Sequence, residues 1–134
     1  VQTSNDRYAN LETNFLLQRL ESFEGIVFIT TNARDRIDTA FERRMDVIVE
    51  FHPPDAAERW ALWRSHLPEN CDVEDALVRE LASRCTLTGG QIRNTVLHAT
   101  LLALERGGPV TAQDLERAVR REYARSGAVC PLRY

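Results

Sequence analysis

Apolar residues follow two different spacings in the first 54 residues of the chain. Leucine and phenylalanine at helical spacing predict an amphipathic helix over about residues 7–21. Residues 25–32 (GIVFITTN) are apolar and β-branched but too few for a buried helix, so they predict a central strand with Asn32 at its carboxyl end. A short helical segment around residues 38–42 and a second strand over residues 46–51 (DVIVEF) complete a helix-strand-helix-strand unit.

After the Pro53-Pro54 pair the spacing is helical throughout, and capping residues predict where four helices begin. The predicted cap pairs are Asp55 with Glu58, Thr88 with Gln91 and Thr111 with Asp114, while Asp72 or Glu74 opens the remaining helix. Pro68 and the Gly107-Gly108-Pro109 run are predicted to end helices. The apolar residues that the four helices bear are Trp60, Trp63 and Leu67; Leu77, Leu81 and Ala82; Ile92, Val96, Leu97, Leu101 and Leu104; and Leu115, Ala118, Val119 and Tyr123. Of these, Trp60, Trp63 and the four residues of the last helix are predicted to face the core.

These elements predict an α/β fold in two parts. Residues 1–54 form the end of a parallel sheet core, and residues 55–134 form an α-helical subdomain of four helices. The first part is too short to be a whole sheet, so its strands are expected to leave an exposed edge.

Composition narrows the classes of protein. The chain has 134 residues, a net charge of −3 and a pI near 5.6, which disfavours a dedicated nucleic-acid binder. Three cysteines without close pairing indicate free thiols in a reducing compartment, and the cytoplasm is expected. No apolar run approaches the length of a membrane span, and neither His52 nor His98 has a partner at metal-ligand spacing.

The chain lacks the parts that hold phosphates in a P-loop enzyme. All 17 basic residues are arginine, so a P-loop lysine is excluded from this sequence. No Walker A loop and no apolar strand ending in paired acids is present to bind Mg²⁺. This chain is therefore not expected to hydrolyse a nucleotide alone.

The order of the parts resembles the second half of an AAA+ ATPase module. Residues 11–32 resemble the helix and sensor-1 strand of that family, which ends in a Thr-Asn pair. Asp38 and residues 43–46 (RRMD) are similar to its arginine-finger segment, and the helices after Pro54 resemble its lid. The resemblance implies that the sheet is the end of a P-loop-type core whose Walker motifs precede Val1.

A narrower resemblance rests on the first 21 residues. Residues 6–10 (DRYAN) and 16–21 (LLQRLE) look most like bacterial AAA ATPases associated with phage-tail-like contractile injection systems. That resemblance implies a ring of identical subunits, hexameric by expectation, and a tail or sheath component as the protein partner.

Asn32 would, by the resemblance, be sensor 1. Its amide can donate to a phosphate oxygen and accept from water without adding charge to the site. The structural alternative is an Asx turn after a strand, which any α/β protein can use.

Arg43 and Arg44 are the candidate arginine fingers, which would reach into the site of a neighbouring subunit and neutralise charge developing during phosphoryl transfer. Arg44 is the first choice because residues 44–46 keep an Arg-apolar-Asp order. The alternative is a solvated pair of arginines before an edge strand.

The resemblance also implies nucleotide-binding residues in the lid. Gly89 and Gly90 would let the backbone approach base and ribose, with an ordinary tight turn as the alternative. His66 matches in position a histidine that contacts the nucleotide sugar, although a histidine also suits a helix carboxyl end. Arg93 is a candidate phosphate ligand, but the position that directly follows the glycine pair is Gln91.

The resemblance predicts that the chain supplies sensor, finger and lid to ATP or ADP with Mg²⁺, held mainly by residues outside it. Two alternatives remain open. In one, residues 88–97 are the recognition helix of a non-enzymatic helix-turn-helix, with Arg93 and Asn94 facing bases. In the other, the protein is a catalytically dead AAA+ relative that supplies an arginine finger to an active neighbour.

Overall fold

The chain forms two compact units, Val1–Glu50 and Phe51–Tyr134, as divided by contacts within a computed structural model. The structure describes residues 15–33 and 39–132. Asp38, the start of the first predicted helix and the opening residues 6–10 lie outside the described residues.

The first unit contains two helical segments among its described residues. Residues 15–21 form α1, which confirms that part of the first predicted helix, and Thr39–Glu42 form α2. In α1 Leu17 is buried, whereas Phe15 is 63% and Leu16 48% exposed.

The two strands predicted in the first 54 residues do not form in the structure, so both predictions are wrong. Residues 25–32 and 46–51 have no strand assignment, and their apolar side chains are exposed, with Ile26 at 84% and Phe28 at 88%. A strand exists only when a neighbouring chain segment accepts and donates its backbone hydrogen bonds. The described residues provide no such neighbour, so two sequences with strand composition remain unpaired.

The second unit confirms the four predicted helices. They are α3 (Ala56–His66), α4 (Asp75–Arg84), α5 (Gly89–Arg106) and α6 (Ala112–Arg125). Two short strands that were not predicted, β1 (Cys71–Asp72) and β2 (Val110–Thr111), pair in parallel. Asp72 therefore belongs to β1 and not to a helix start; Glu74 is the N-cap of α4, but its side chain makes no capping hydrogen bond.

Local capping chemistry fixes three of these helix starts and one end. Complete capping boxes join Asp55 with Glu58, Thr88 with Gln91, and Thr111 with Asp114. At the carboxyl end of α5, Gly107 adopts a left-handed conformation with φ of 79°, which glycine reaches without steric cost. The boundaries of α3, α5 and α6 are thus set by residues within a few positions of each end.

A single hydrophobic core lies within the second unit. Its buried members are Trp63, Leu67, Val78, Leu81, Ala82, Cys85, Leu87, Ile92, Val96, Ala99, Ala103, Val110, Leu115, Ala118, Val119, Tyr123 and Leu132. Trp60 packs against this core, as predicted, and the Arg79 guanidinium lies 5.0 Å from its ring centroid. The two indole N–H groups, of Trp60 and Trp63, are buried without an acceptor in the described part of the chain.

Leu97, Leu101 and Leu104, which the sequence places at helical spacing on α5, do not face this core. They are 55%, 55% and 69% exposed, and the core side of α5 is formed instead by residues that include Ala99 and Ala103. Since α5 contacts both α3 and α6, small side chains occupy the face where the helices approach closely. The larger leucines therefore remain on the outer face.

Arg59 is a buried cation that links the start of the second unit to two of its helices. It is 8% exposed, and its Nε donates to the Ala82 carbonyl oxygen at 2.7 Å. Its Nη1 donates to the Pro54 carbonyl oxygen at 2.6 Å. A guanidinium stays charged when buried and can satisfy two carbonyls at once, so this side chain fixes the chain direction ahead of α3.

We expect Arg59→Met to lower the free energy of unfolding by about 2 kcal/mol, because a buried carbonyl and a partly buried one lose a charged donor. Urea denaturation of the full chain measures the change. Arg64→Met, which removes an exposed pair with Asp75, is the matched control and should change stability by less than about 1 kcal/mol. Equal effects of the two substitutions would contradict this account of Arg59.

Cys85 is fully buried at the end of α4. Burial, reinforced by the neighbouring Cys130, raises the pKa of the Cys85 thiol to about 11. Cys71 and Cys130 are only partly buried. The three free thiols should therefore differ in reactivity.

At pH 8 we expect iodoacetamide to alkylate Cys85 about 100-fold more slowly in the folded chain than in the urea-unfolded chain, since a pKa raised from 9.0 to about 11 lowers the thiolate fraction by about that factor. Peptide mass spectrometry over time measures each rate. Because the folded pKa is raised, stability should fall as pH increases from about 9 through 11. Cys85→Ala should remove that contribution, and comparable alkylation of Cys85 in the folded and unfolded chains would contradict the assignment.

No helix in residues 15–33 and 39–132 has the length and apolar character needed to cross a bilayer.

Candidate functional site

Asn32 lies exposed in an unpaired segment of the first unit. The Ala33 N–H donates to the Thr31 hydroxyl at 3.0 Å, so the turn at this point is closed by Thr31. The turn therefore does not use the Asn32 amide, and that side chain faces solvent in the described structure.

Arg43 and Arg44 directly follow α2, and both are exposed. The Arg43 N–H donates to the Thr39 carbonyl oxygen at 3.2 Å, which continues the helical turn. Arg44 Nε donates to a carboxylate oxygen of Glu21 on α1, and the side chains are 41% and 54% exposed. An ion pair this exposed contributes little stability, so it orients Arg44 without holding it irreversibly.

The amino end of α5 is the best-defined candidate binding feature in the second unit. Thr88 and Gln91 use their side chains to cap each other's backbone N–H groups. The N–H groups of Gly89 and Gly90, in the same first turn, have no acceptor within the helix. These groups and the positive end of the helix dipole are suited to an electron-rich ligand atom.

Neither glycine is required by the fold. Both have ordinary negative-φ backbone; the positive-φ glycines of the described chain are Gly107 and Gly127. A Cβ added at Gly89 would lie 3.7 Å from Leu62 Cδ1, an ordinary contact, and one added at Gly90 would meet nothing within 4 Å. A tight turn therefore does not require either glycine.

His66 is brought to the same region by α3. Leu62 contacts the Gly89 position, and His66 lies one helical turn beyond Leu62 on the same face. His66 is exposed in the last turn of α3, where its ring also complements the helix dipole. The structure thus shows the position at a helix carboxyl end, and the contact of His66 with a nucleotide sugar stays a prediction.

Arg93 is exposed and lies one turn beyond Gly89 on the same face of α5. Gln91, which occupies the position after the glycine pair, is already used in the capping box. Gln91 is a neutral amide, so the cation nearest to the glycine pair along α5 is Arg93. Asn94 is exposed on the adjoining face.

The predicted site residues fall into two sets, one in each unit. Asn32, Arg43 and Arg44 belong to the first unit, and His66, Gly89, Gly90 and Arg93 belong to the second. Within the described residues, no group of three His, Cys, Asp or Glu side chains could hold a metal ion.

Sequence reasoning missed a second feature, the open cavity between α5 and α6. Its signal was present in the sequence, because arginines at 117, 121 and 125 repeat at helical spacing. That spacing showed a charged helix face, but the cavity itself could not be inferred, because it depends on which face of α5 lies toward α6.

Residues 55–126 match the family described as the contractile injection system ATPase helical domain. The chain is also similar to the ATP-dependent zinc metalloprotease FtsH 3 of Sphaerobacter thermophilus, with 40% identity over 119 residues, covering 83% of this chain and 24% of the relative. FtsH of Malacoplasma penetrans is 30% identical over 135 residues, covering 92% and 16%. The chain spans about a quarter or less of these curated relatives.

The helical unit and these matches define the C-terminal region of an AAA+ ATPase. Because the match to the helical domain covers more than half of the chain, the chain belongs to the contractile injection system ATPase family. The expected family resemblance is confirmed, and the second unit corresponds to the helical lid. The complete P-loop sheet core is not contained in this chain.

We expect Gly90→Ala to leave the free energy of unfolding unchanged or to raise it by about 0.5 kcal/mol, because the added methyl group meets open space and restricts the unfolded chain. Thermal unfolding of the full chain measures this. Gly107→Ala is the control and should be destabilising, since its φ is positive. A loss above about 1 kcal/mol for Gly90→Ala would show that the fold itself needs this glycine.

Proposed function

We propose that this chain is the sensor, finger and lid portion of an ATPase that binds and hydrolyses ATP at the subunit interfaces of a ring. Upstream residues of the longer protein would hold ATP or ADP and Mg²⁺. The ring would contain identical subunits, six by expectation, and work in the cytoplasm on a protein partner such as a tail or sheath component.

The observation that carries this proposal is the open first turn of α5. Gly89 and Gly90 leave room and unpaired N–H groups where the fold itself needs neither glycine. In the proposal, these backbone groups contact the base and ribose, and His66 contacts the sugar from the neighbouring helix end. Arg93 adds positive charge on the same side and attracts the phosphates.

Arg59 supports a mechanical role for the lid. It ties the Pro54 carbonyl to α3 and to the carboxyl end of α4, so a rotation of these helices must also move residue 54. In the proposal, nucleotide binding shifts the lid as one packed body, and hydrolysis releases it. The chain that joins the lid to the sensor and finger segment transmits this motion.

Asn32 and the arginines have distinct tasks in this proposal. Asn32 orients the attacking water or the terminal phosphate within its own subunit, since an amide can both donate and accept. Arg44, with Arg43 as the alternative, would leave Glu21 and stabilise charge in the neighbouring site. The exposed ion pair with Glu21 costs little to open.

We expect Asn32→Ala and Arg44→Ala each to lower the ATPase rate of the full-length protein by at least about 100-fold while nucleotide affinity changes little. Because Asn32 acts within its subunit and Arg44 acts on its neighbour, an equal mixture of the two variants should recover about a quarter of wild-type activity. Steady-state hydrolysis and fluorescent-nucleotide titration measure the two quantities.

Arg43→Ala, tested in the same mixture, distinguishes the two arginines, since only the finger residue should be complemented by Asn32→Ala. Absence of any recovery would place both groups in one subunit or remove them from catalysis. A wild-type protein that binds its neighbour but hydrolyses nothing would favour the catalytically dead helper. The nucleic-acid alternative stays a prediction that salt-dependent DNA binding would test.

A further inference from the structure

Within the part of the chain that the structure describes, the outer face of α5 carries an apolar stripe that lies outside the hydrophobic core. Leu97, Leu101 and Leu104, named here the leucine stripe, repeat at i, i+4 and i+7 and are each more than half exposed. A soluble surface rarely keeps large apolar side chains aligned over two helical turns. This spacing is the one that an apolar helix face would match.

Positive charge runs beside the leucine stripe. Arg117, Arg121 and Arg125, named here the arginine row, repeat at i, i+4 and i+8 along α6 and are exposed. Like charges at this spacing destabilise a helix slightly. Arg125 pairs with Glu122, but in the described part of the chain neither Arg117 nor Arg121 has a carboxylate within ion-pair distance.

The two features meet at an open cavity of about 300 Å³ between α5 and α6. Leu97 and Leu101 line one side, and Arg121 and Arg125 line the other. Glu122, whose side chain is only 7% exposed, lies between them and is neutralised by Arg125. The α5 side of the cavity therefore combines Leu97 and Leu101 with polar side chains that include His98, and the α6 side has a net positive charge.

The pKa of His98 is sensitive to the positive charge of the arginine row. His98 also lines the cavity. Burial, and then the guanidinium groups of Arg121 and Arg117, lowers the pKa of His98 below its ordinary value. The row is thus close enough to α5 to act on groups within the cavity.

From this geometry we propose that the face formed by the leucine stripe and the arginine row is a docking surface for an acidic amphipathic helix of a partner protein. Its apolar residues would cover Leu97, Leu101 and Leu104, and its carboxylates would pair with Arg117 and Arg121. The surface is separate from the glycine pair at the amino end of α5 and does not depend on the proposed ATPase activity.

Charge complementarity selects this occupant. A nucleic acid would use the arginines but leave the leucines in water. A basic or neutral helix would cover the leucines but leave Arg117 and Arg121 without carboxylate partners, which gives up the charge complementarity. An acidic helix with leucines at i, i+4 and i+7 satisfies both sides at once.

The probe is a capped synthetic helix of about 18 residues with leucine at i, i+4 and i+7 and glutamate along one flank. Two matched peptides replace each glutamate by glutamine or by lysine. Titration into the isotope-labelled full chain, followed by amide NMR shifts, gives the affinity and the residues contacted. We expect the glutamate peptide to bind tightest and to shift α5 and α6 signals around the cavity.

Four substitutions separate the apolar from the charged contribution. Leu97→Gln with Leu101→Gln should weaken the glutamate peptide at least about tenfold, and Arg117→Gln with Arg121→Gln at least about fourfold. Val129→Gln, at a single residue 91% exposed, and Arg64→Gln on α3 are the matched controls and should leave binding unchanged. Raising ionic strength from about 0.05 to about 0.5 M should weaken the glutamate peptide but not the glutamine peptide.

Equal binding of the glutamate and lysine peptides, or shifts confined to residues outside α5 and α6, would overturn the proposal. Sedimentation of the full chain tests whether a second copy covers the face instead. Self-association that Leu97→Gln with Leu101→Gln abolishes would also overturn it, because the occupant would then be this chain itself.

Discussion

Close packing against one side of α5 is the constraint on which the rest of the lid depends. Helix α5 contacts α3, α6 and β2, and α4 joins the assembly through α3. Only small side chains such as Ala99 and Ala103 let two neighbouring helices approach the same stretch of α5. Once neighbouring helices pack against that side, the orientation of α5 is fixed. The positions of its two ends and of its outer face follow from that orientation.

Two functional surfaces follow from this single orientation. The first turn of α5, with Gly89 and Gly90, is left open beside the end of α3, and that is where a nucleotide would approach. The outer face carries the leucine stripe beside the arginine row of α6. The same helix therefore carries a candidate nucleotide site at its amino end and a candidate protein-docking surface on its outer face.

The two units differ in how completely they satisfy their own physical requirements. The second buries a continuous core, closes its helix ends with capping boxes and uses Arg59 to satisfy backbone carbonyls. The first has strand-forming sequences whose apolar side chains are exposed. Such sequences need hydrogen-bonded neighbours, which agrees with a chain that contains only the end of a sheet core.

The sequence by itself determined the helices of the lid, because caps and glycine ends act between residues at most a few positions apart. It also indicated the family and pointed to Gly89, Gly90, His66 and Arg93 as candidates. Tertiary structure decided which face of α5 is buried, the pairing of β1 with β2, the burial of Arg59 and the absence of strands from residues 25–32 and 46–50. Each depends on segments distant in sequence coming together, and periodicity within one segment contains no information about what lies opposite it.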